Sequence, residues 1–378
     1  MLFLYKQIKL KLLDKYILRH FVINLLFGLL CFIIIFILVD LFENMDRFID
    51  KKLTMFQIAQ YYAYFIPDIL KLISPIGMLL ASLFTVSRFV NYSELTAMKS
   101  AGISIYRYLL PILLFGSIIT GFSIYFNGWI VPKANQQKYN FERATLGRNL
   151  ISDVTQNIYI QDKINRVIII NYYNKSEQSC GNTLIQIFNH DTLQKVVKRL
   201  DISNMKWNTD VKDWKIETGY VRAFNFPDKE SLNVVKNVNL GDLSGFEKIN
   251  LQPDQIEKKR LRPEELELSE FKEFIDNLEA NGQDAAKEKV DYYSIISFPF
   301  ASIITIIFGV SISSNNRKAG AALHFGISLI VSFIYLGFVK ISQVFGYNGD
   351  VNPILTAWSA NILFLAVSLF NFYRLNKN

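Results

Sequence analysis

A chain of 378 residues with 51% hydrophobic content has apolar material enough for two soluble domains. Its apolar residues fall instead into long charge-free blocks, which excludes an ordinary soluble protein and points to a bilayer. The formal net charge of +8 then reads mainly as a topological signal and gives no ground for a nucleic-acid partner.

The first block, Phe21 to Val39, follows a basic flank of Lys6, Lys9, Lys11, Lys15 and Arg19. It is too long for a signal peptide and no small-residue cleavage site follows it, so it reads as an uncleaved first span. Beyond it lies a charged loop with Glu43, Asp46 and Asp50 against Arg47, Lys51 and Lys52. The second candidate, Leu53 to Ser87, carries Asp68 and Lys71, and its clean stretch from Leu72 reaches only about 24 Å at the α-helical rise. It must start earlier, with Asp68 and Lys71 near the outer interface and paired at i,i+3, and with kinks at Pro67 and Pro75.

The connection Arg88 to Arg107 is too short for a domain. Asn91 and Glu94 have the spacing of a capping arrangement, Gly102 suits the position after a helix end, and Lys99 suits the negative pole of the helix dipole. The expected short helix from about 91 to 102 presents Leu95 and Met98 beside Glu94. Periodicity alone fits equally a knob for a groove on a partner and a helix resting on lipid headgroups. The third span, Tyr108 to Pro132, ends at Trp129-Ile130-Val131-Pro132.

The segment that follows has the period of strands. Runs at Ile158 to Ile160, Val167 to Tyr173, Leu184 to Phe188, Val196 to Met205 and Trp214 to Phe226 alternate with turn formers, predicting an all-β sandwich or jelly roll. Asn208-Thr209-Asp210 between Trp207 and Trp214 reads as a hairpin turn. After Pro263 the spacing of Leu268, Phe271, Ile275 and Leu278 becomes helical, with Ser269 as N-cap and Gly282 as stop. A further helix from Asp284 runs into the fourth span. Charge-free windows at Tyr292 to Asn316, Ala319 to Val339 and Val351 to Tyr373 complete six spans.

Basic residues in the short flanks orient the chain. Arg88, Lys99, Arg107, Arg317, Lys318, Arg374 and Lys377 join the amino-terminal cluster on one side, and Asp40, Asp50 and Asp350 mark the other. Both termini are then cytoplasmic and the β-domain is not. The expected organisation is 1–132 for helices one to three, 133–265 for the β-domain, 266–290 for a helical connector and 291–378 for helices four to six.

The sequence holds no phosphate-binding Gly-x-x-x-x-Gly-Lys loop, no His-Glu-x-x-His pair and no Gly-x-Ser-x-Gly elbow, so no catalytic residue, metal site or cofactor is assigned. His20, His190 and His324 are scattered, and His190-Asp191 reads as a turn. Cys31 and Cys180 lie in different regions and form no disulfide framework.

Several segments resemble the LptF/LptG permeases of lipopolysaccharide export. They are Leu13-Asp14-Lys15-Tyr16-Ile17 leading into the first helix, the prolines Pro67 and Pro75, Ser93-Glu94-Leu95 through Met98 and Gly102, and Trp129 to Pro132. Asn281-Gly282-Gln283-Asp284-Ala285 and Gln343-Val344-Phe345-Gly346 are similar to LptG more than to LptF. The resemblance implies a six-helix inner-membrane permease with a periplasmic jelly roll. It also implies a second, LptF-like permease, a dimer of separate LptB-like ABC ATPases, and periplasmic jelly-roll partners of the LptC and LptA kind. Lipopolysaccharide would enter from among the membrane lipids and be passed to that bridge.

The same resemblance makes Ser93, Glu94, Leu95, Met98 and Gly102 the ATPase-coupling segment, with Glu94 salt-bridging the ATPase and Leu95 and Met98 packing on it. Asp40 stands where familiar members carry a lysine for lipid phosphate, leaving Arg47, Lys51, Lys52 and Lys71 as headgroup candidates. The alternative reading is a membrane-anchored periplasmic ligand-binding scaffold or sensor, against which the short cytoplasmic segments weigh.

Overall fold

The computed structural model describes residues 12–145, 154–189, 195–225, 229–246, 251–253, 256, 262–280, 283–314 and 321–377. Lys6, Lys9, Lys11, Arg317, Lys318, the His190-Asp191 turn and the Asn281-Gly282 stop lie outside them.

Among the described residues, six helical spans are long and apolar enough to cross a membrane. The first is α1 (Leu12–Asp50) and the second α2 (Met55–Asn91), followed by the short α3 (Glu94–Ser100). The third span joins α4 (Ile105–Tyr125), a π-helical turn (Phe126–Ile130) and α5 (Val131–Thr145). The fourth joins α7 (Ala286–Ser297), a 3-10 turn (Phe298–Phe300) and α8 (Ala301–Ser313), preceded by α6 (Leu268–Ala280). The last two are α9 (Ala321–Tyr347) and α10 (Pro353–Lys377). Helices satisfy their own backbone donors and acceptors, the condition for crossing hydrocarbon.

The chain divides into two compact units. One comprises Met1–Tyr139, Glu265–Phe271 and Ala286–Asn378; the other comprises Asn140–Glu264 and Lys272–Ala285.

In the helical unit α2 is central: 72% of its apolar window is buried, against 17% for α1 and for the fifth span. Small residues set the closest approach. A Cβ added at Gly309 of α8 would stand 1.9 Å from Ser82 Oγ of α2, and Ser313 Oγ donates to the Leu83 carbonyl at 3.0 Å. Packing of this kind holds helices together where lipid removes the hydrophobic drive. Asn24 of α1 adds a 2.9 Å hydrogen bond to Thr85 of α2.

Pro67 and Pro75 both lie inside the continuous α2, which starts with a capping box between Thr54 and Gln57. The third helix does not stop at Pro132 as the sequence suggests but continues to Thr145. Proline offers no amide hydrogen, and the wider π-turn immediately before it, where Val131 N–H reaches the Phe126 carbonyl, rearranges the local ladder. Ser269 is not the cap of α6 either, because the helix already begins at Leu268.

The inserted unit carries an antiparallel sheet of six strands: β1 (Val154–Lys163), β2 (Arg166–Asn174), β3 (Ser179–Phe188), β4 (Val196–Asn208), β5 (Asp213–Asn225) and β6 (Lys229–Asn239). Each strand pairs with the next in sequence, so the described strands form a meander, without jelly-roll crossovers. Ile168, Ile170, Ile185, Leu200 and Ile216 build its core with Trp214. Leu240, Phe246, Leu251 and Ile256, from the chain after β6, join that core, and Trp214 Nε1 donates to the Leu251 carbonyl. The Trp207 to Trp214 hairpin forms as expected, with those residues paired across β4 and β5 and Asn208 Oδ1 accepting from Asp210 N–H at 3.0 Å.

Candidate functional site

The short α3 differs from its expected form at the start and matches it at the end. Asn91 is the last residue of α2 rather than a cap, and Ser93 precedes α3 in the left-handed region at φ 58° with no side-chain capping bond. At the other end Gly102 adopts φ +82°. Gly102 N–H bonds the Lys99 carbonyl and Ile103 N–H bonds the Met98 carbonyl, the two bonds of a Schellman closure. Glycine takes that conformation without the steric cost a Cβ imposes.

Leu95 is 5% exposed and belongs to the buried cluster of Ile17, Phe21 and Tyr108, with Met98 packed against it. The sequence picture of Leu95 as an outward knob is therefore corrected: this side chain seats α3 on the bundle. Outward lie Thr96, Ala97, Lys99 and Ser100, with Ser93 and Gly102 exposed at the two ends. Glu94 is half-buried and accepts from Tyr16 Oη of α1, at 3.2 Å to Oε1 and 3.1 Å to Oε2. Arg88 lies over the Tyr92 ring at 5.6 Å.

Two partners of this region escaped the sequence reading. Tyr16 is one. The other is the ion pair between Arg107 Nη2 and Asp14 Oδ2 at 2.7 Å, with Asp14 5% exposed. Both lie within the stretches singled out, but their separations of 78 and 93 residues give no local signal.

At the opposite end of α1, Arg47, Lys51 and Lys52 are all exposed. Arg47 Nη1 donates to Asn44 Oδ1 at 3.2 Å. Lys52 sits at φ 50° and closes the helix, its N–H on the Ile49 carbonyl while Leu53 N–H bonds the Phe48 carbonyl. Asp40, the departure from the expected lysine, is half-buried and accepts from Tyr62 Oη at 3.1 Å. A cation missed in the sequence, Lys138 of α5, is 9% exposed and holds its ammonium 3.9 Å from the Phe65 ring centroid.

Asp68 and Lys71 do not form the expected ion pair; both are half-buried. Lys71 instead shares a small cleft with Ser74, Pro75, Ser123, Asn127 and Ser302. Arg47, Lys51 and Lys52 thus lie at the end of α1 and in the turn after it, whereas Lys71 lies within α2, one turn beyond Pro67. No group of His, Cys, Asp and Glu suited to a metal occurs among the described residues.

The sequence profile described as "Lipopolysaccharide export system permease LptF/LptG" matches residues 15–374. The lipopolysaccharide export system permease protein LptG of Escherichia coli K12 is 23% identical over 319 residues, covering 82% of this chain and 84% of that protein. LptG of Haemophilus influenzae is 21% identical over 302 residues, 79% of each. With the match spanning all six apolar helices and the inserted sheet, the chain belongs to the LptF/LptG family of lipopolysaccharide export permeases.

Proposed function

We propose that this chain is one permease subunit of an ABC-type exporter that extracts lipopolysaccharide from the inner membrane, powered by a separate ATPase dimer. The observation that carries the reading is α3: a seven-residue helix between two spans, seated through Leu95 and closed at Gly102, with a polar outer face. It is too small to be a domain and is built as a contact. In this reading α3 lies on the cytoplasmic side, both termini are cytoplasmic and the β-domain is periplasmic. Glu94 contacts the ATPase, while Leu95 and Met98 act from beneath by holding the helix in place.

The rest follows from the same reading. A second permease of the family faces α1, whose Leu26, Phe27, Leu30, Ile34 and Leu38 are exposed and apolar. Arg47, Lys51 and Lys52 meet lipid phosphate, and Lys71 has a lesser claim because its cleft is narrow. The β-domain passes acyl chains to further periplasmic β-domains by edge pairing, for which β1 and β6 are the terminal strands of the sheet.

The test is purification from native membranes together with photo-crosslinkers placed in α1. Glu94→Lys is expected to lose the ATPase subunit while inserting normally, and crosslinks at Leu30 and Ile34 are expected to capture glycolipid. Capture of soluble ligands alone, with no ATPase in the assembly, would make the chain a periplasmic ligand-binding scaffold or sensor instead.

A further inference from the structure

Two hydrogen-bonded contacts fix the end of α1 to two different elements. Asp14 is paired with Arg107 at the start of α4, and Tyr16 is bonded to Glu94 at the start of α3. Two residues along a helix are about 200° apart around its axis, so the two contacts leave α1 on nearly opposite sides. Tyr16 is further fixed by its ring, edge-on to His20 at 4.7 Å and tilted against Phe89 at 5.5 Å. Phe89 is fully buried in the cluster that also holds Leu95.

α3 is seated on the bundle through Leu95 and bonded to α1 through Glu94. At this end α1 is enclosed through Asp14, Ile17 and Phe21, so movement of α3 reaches it through the Tyr16 bond and the core the two share. We infer that Tyr16 is a positioning residue that transmits movement of the short helix α3 to the first span through its bond to Glu94, with the Asp14–Arg107 pair as the pivot.

The inference rests on the permease reading and deepens it. Glu94 then has two separable properties: its charge, offered to the ATPase, and its acceptor oxygens, engaged by Tyr16. Glu94→Gln removes the first and keeps an acceptor for the second. Tyr16→Phe keeps the ring packing and the Glu94 charge but removes the bond.

The experiment uses the whole assembly in proteoliposomes and reads lipopolysaccharide released per ATP hydrolysed, ATPase co-purification and thermal stability. Tyr16→Phe is expected to lower release per ATP by at least about threefold, since a hydrogen bond to a charged group is a substantial interaction. Co-purification and melting are expected to stay as in wild type. A wild-type ratio in Tyr16→Phe overturns the inference. So does loss of the ATPase in Tyr16→Phe, which would place Tyr16 in the docking surface. If the unsubstituted assembly releases no lipid with ATP, the permease reading itself falls and this inference with it.

Discussion

Asp14 and Arg107, 93 residues apart in sequence, meet at 2.7 Å with the carboxylate almost wholly enclosed. An enclosed carboxylate depends on its partner more than an exposed one does, because removing the cation leaves a desolvated charge. Arg107→Ala is expected to destabilise the helical unit by about 3 kcal/mol, and Asp14→Asn by less, because it removes the charge along with the salt bridge. Thermal unfolding in detergent checks the order; equal melting of both variants would contradict it.

Gly309 marks a close helix crossing. Its place against Ser82 and the Leu79 carbonyl leaves no room for a side chain. Gly309→Val is expected to cost about 1–3 kcal/mol through overpacking, with Gly309→Ala closer to the lower end. Gly121, where an added Cβ meets nothing within 4 Å, is the control, and Gly121→Ala is expected to melt no lower than the unsubstituted protein, since alanine favours an open helix position over glycine.

Lys52 occupies a left-handed position at the end of α1. Lys52→Gly is expected to stabilise the protein by on the order of 1 kcal/mol by removing that strain. If lipid phosphate uses Lys52, the same variant binds lipopolysaccharide more weakly while melting higher. Parallel melting and lipid-binding measurements separate the two effects.

Burial pushes the Cys180 thiol well above its ordinary range. The folded state therefore keeps its proton where the unfolded chain would lose it, so this contribution is intact below the ordinary thiol range and declines as pH rises through it. β-domain stability is expected to fall above about pH 9 by up to roughly 1.4 kcal/mol per pH unit from this group. Cys180→Ala is expected to flatten that part of the profile, read by chemical unfolding at several pH values.

Most of the architecture was legible from the chain because hydrocarbon imposes so simple a rule. Charge-free runs gave the spans, and alternation gave β1 to β5. β6 was missed because Asn233, Lys236 and Asn237 are exposed on a terminal strand with only one neighbour, so nothing demands an alternating pattern there. The short helix was found from Gly102, whose backbone requirement is local. Its attachment was not, because Tyr16 and Arg107 reach their partners only through tertiary packing. Pro132 misled for a related reason: a proline usually ends a helix, and here the preceding turn had already widened.

One flank of the third span stays enclosed before and after that widened turn. Thr120, Ser123, Asn127, Val131, Asn135 and Lys138 are all enclosed, and steps of four outnumber steps of three among them. Thr120 and Lys138 are 18 residues apart, which is about five turns at 3.6 residues each, so this flank faces the same way on both sides of the π-helical turn Phe126–Ile130. Removing a single residue there would swing the side chains beyond it by about 100°, carrying Lys138 off Phe65 while the helix itself stayed whole.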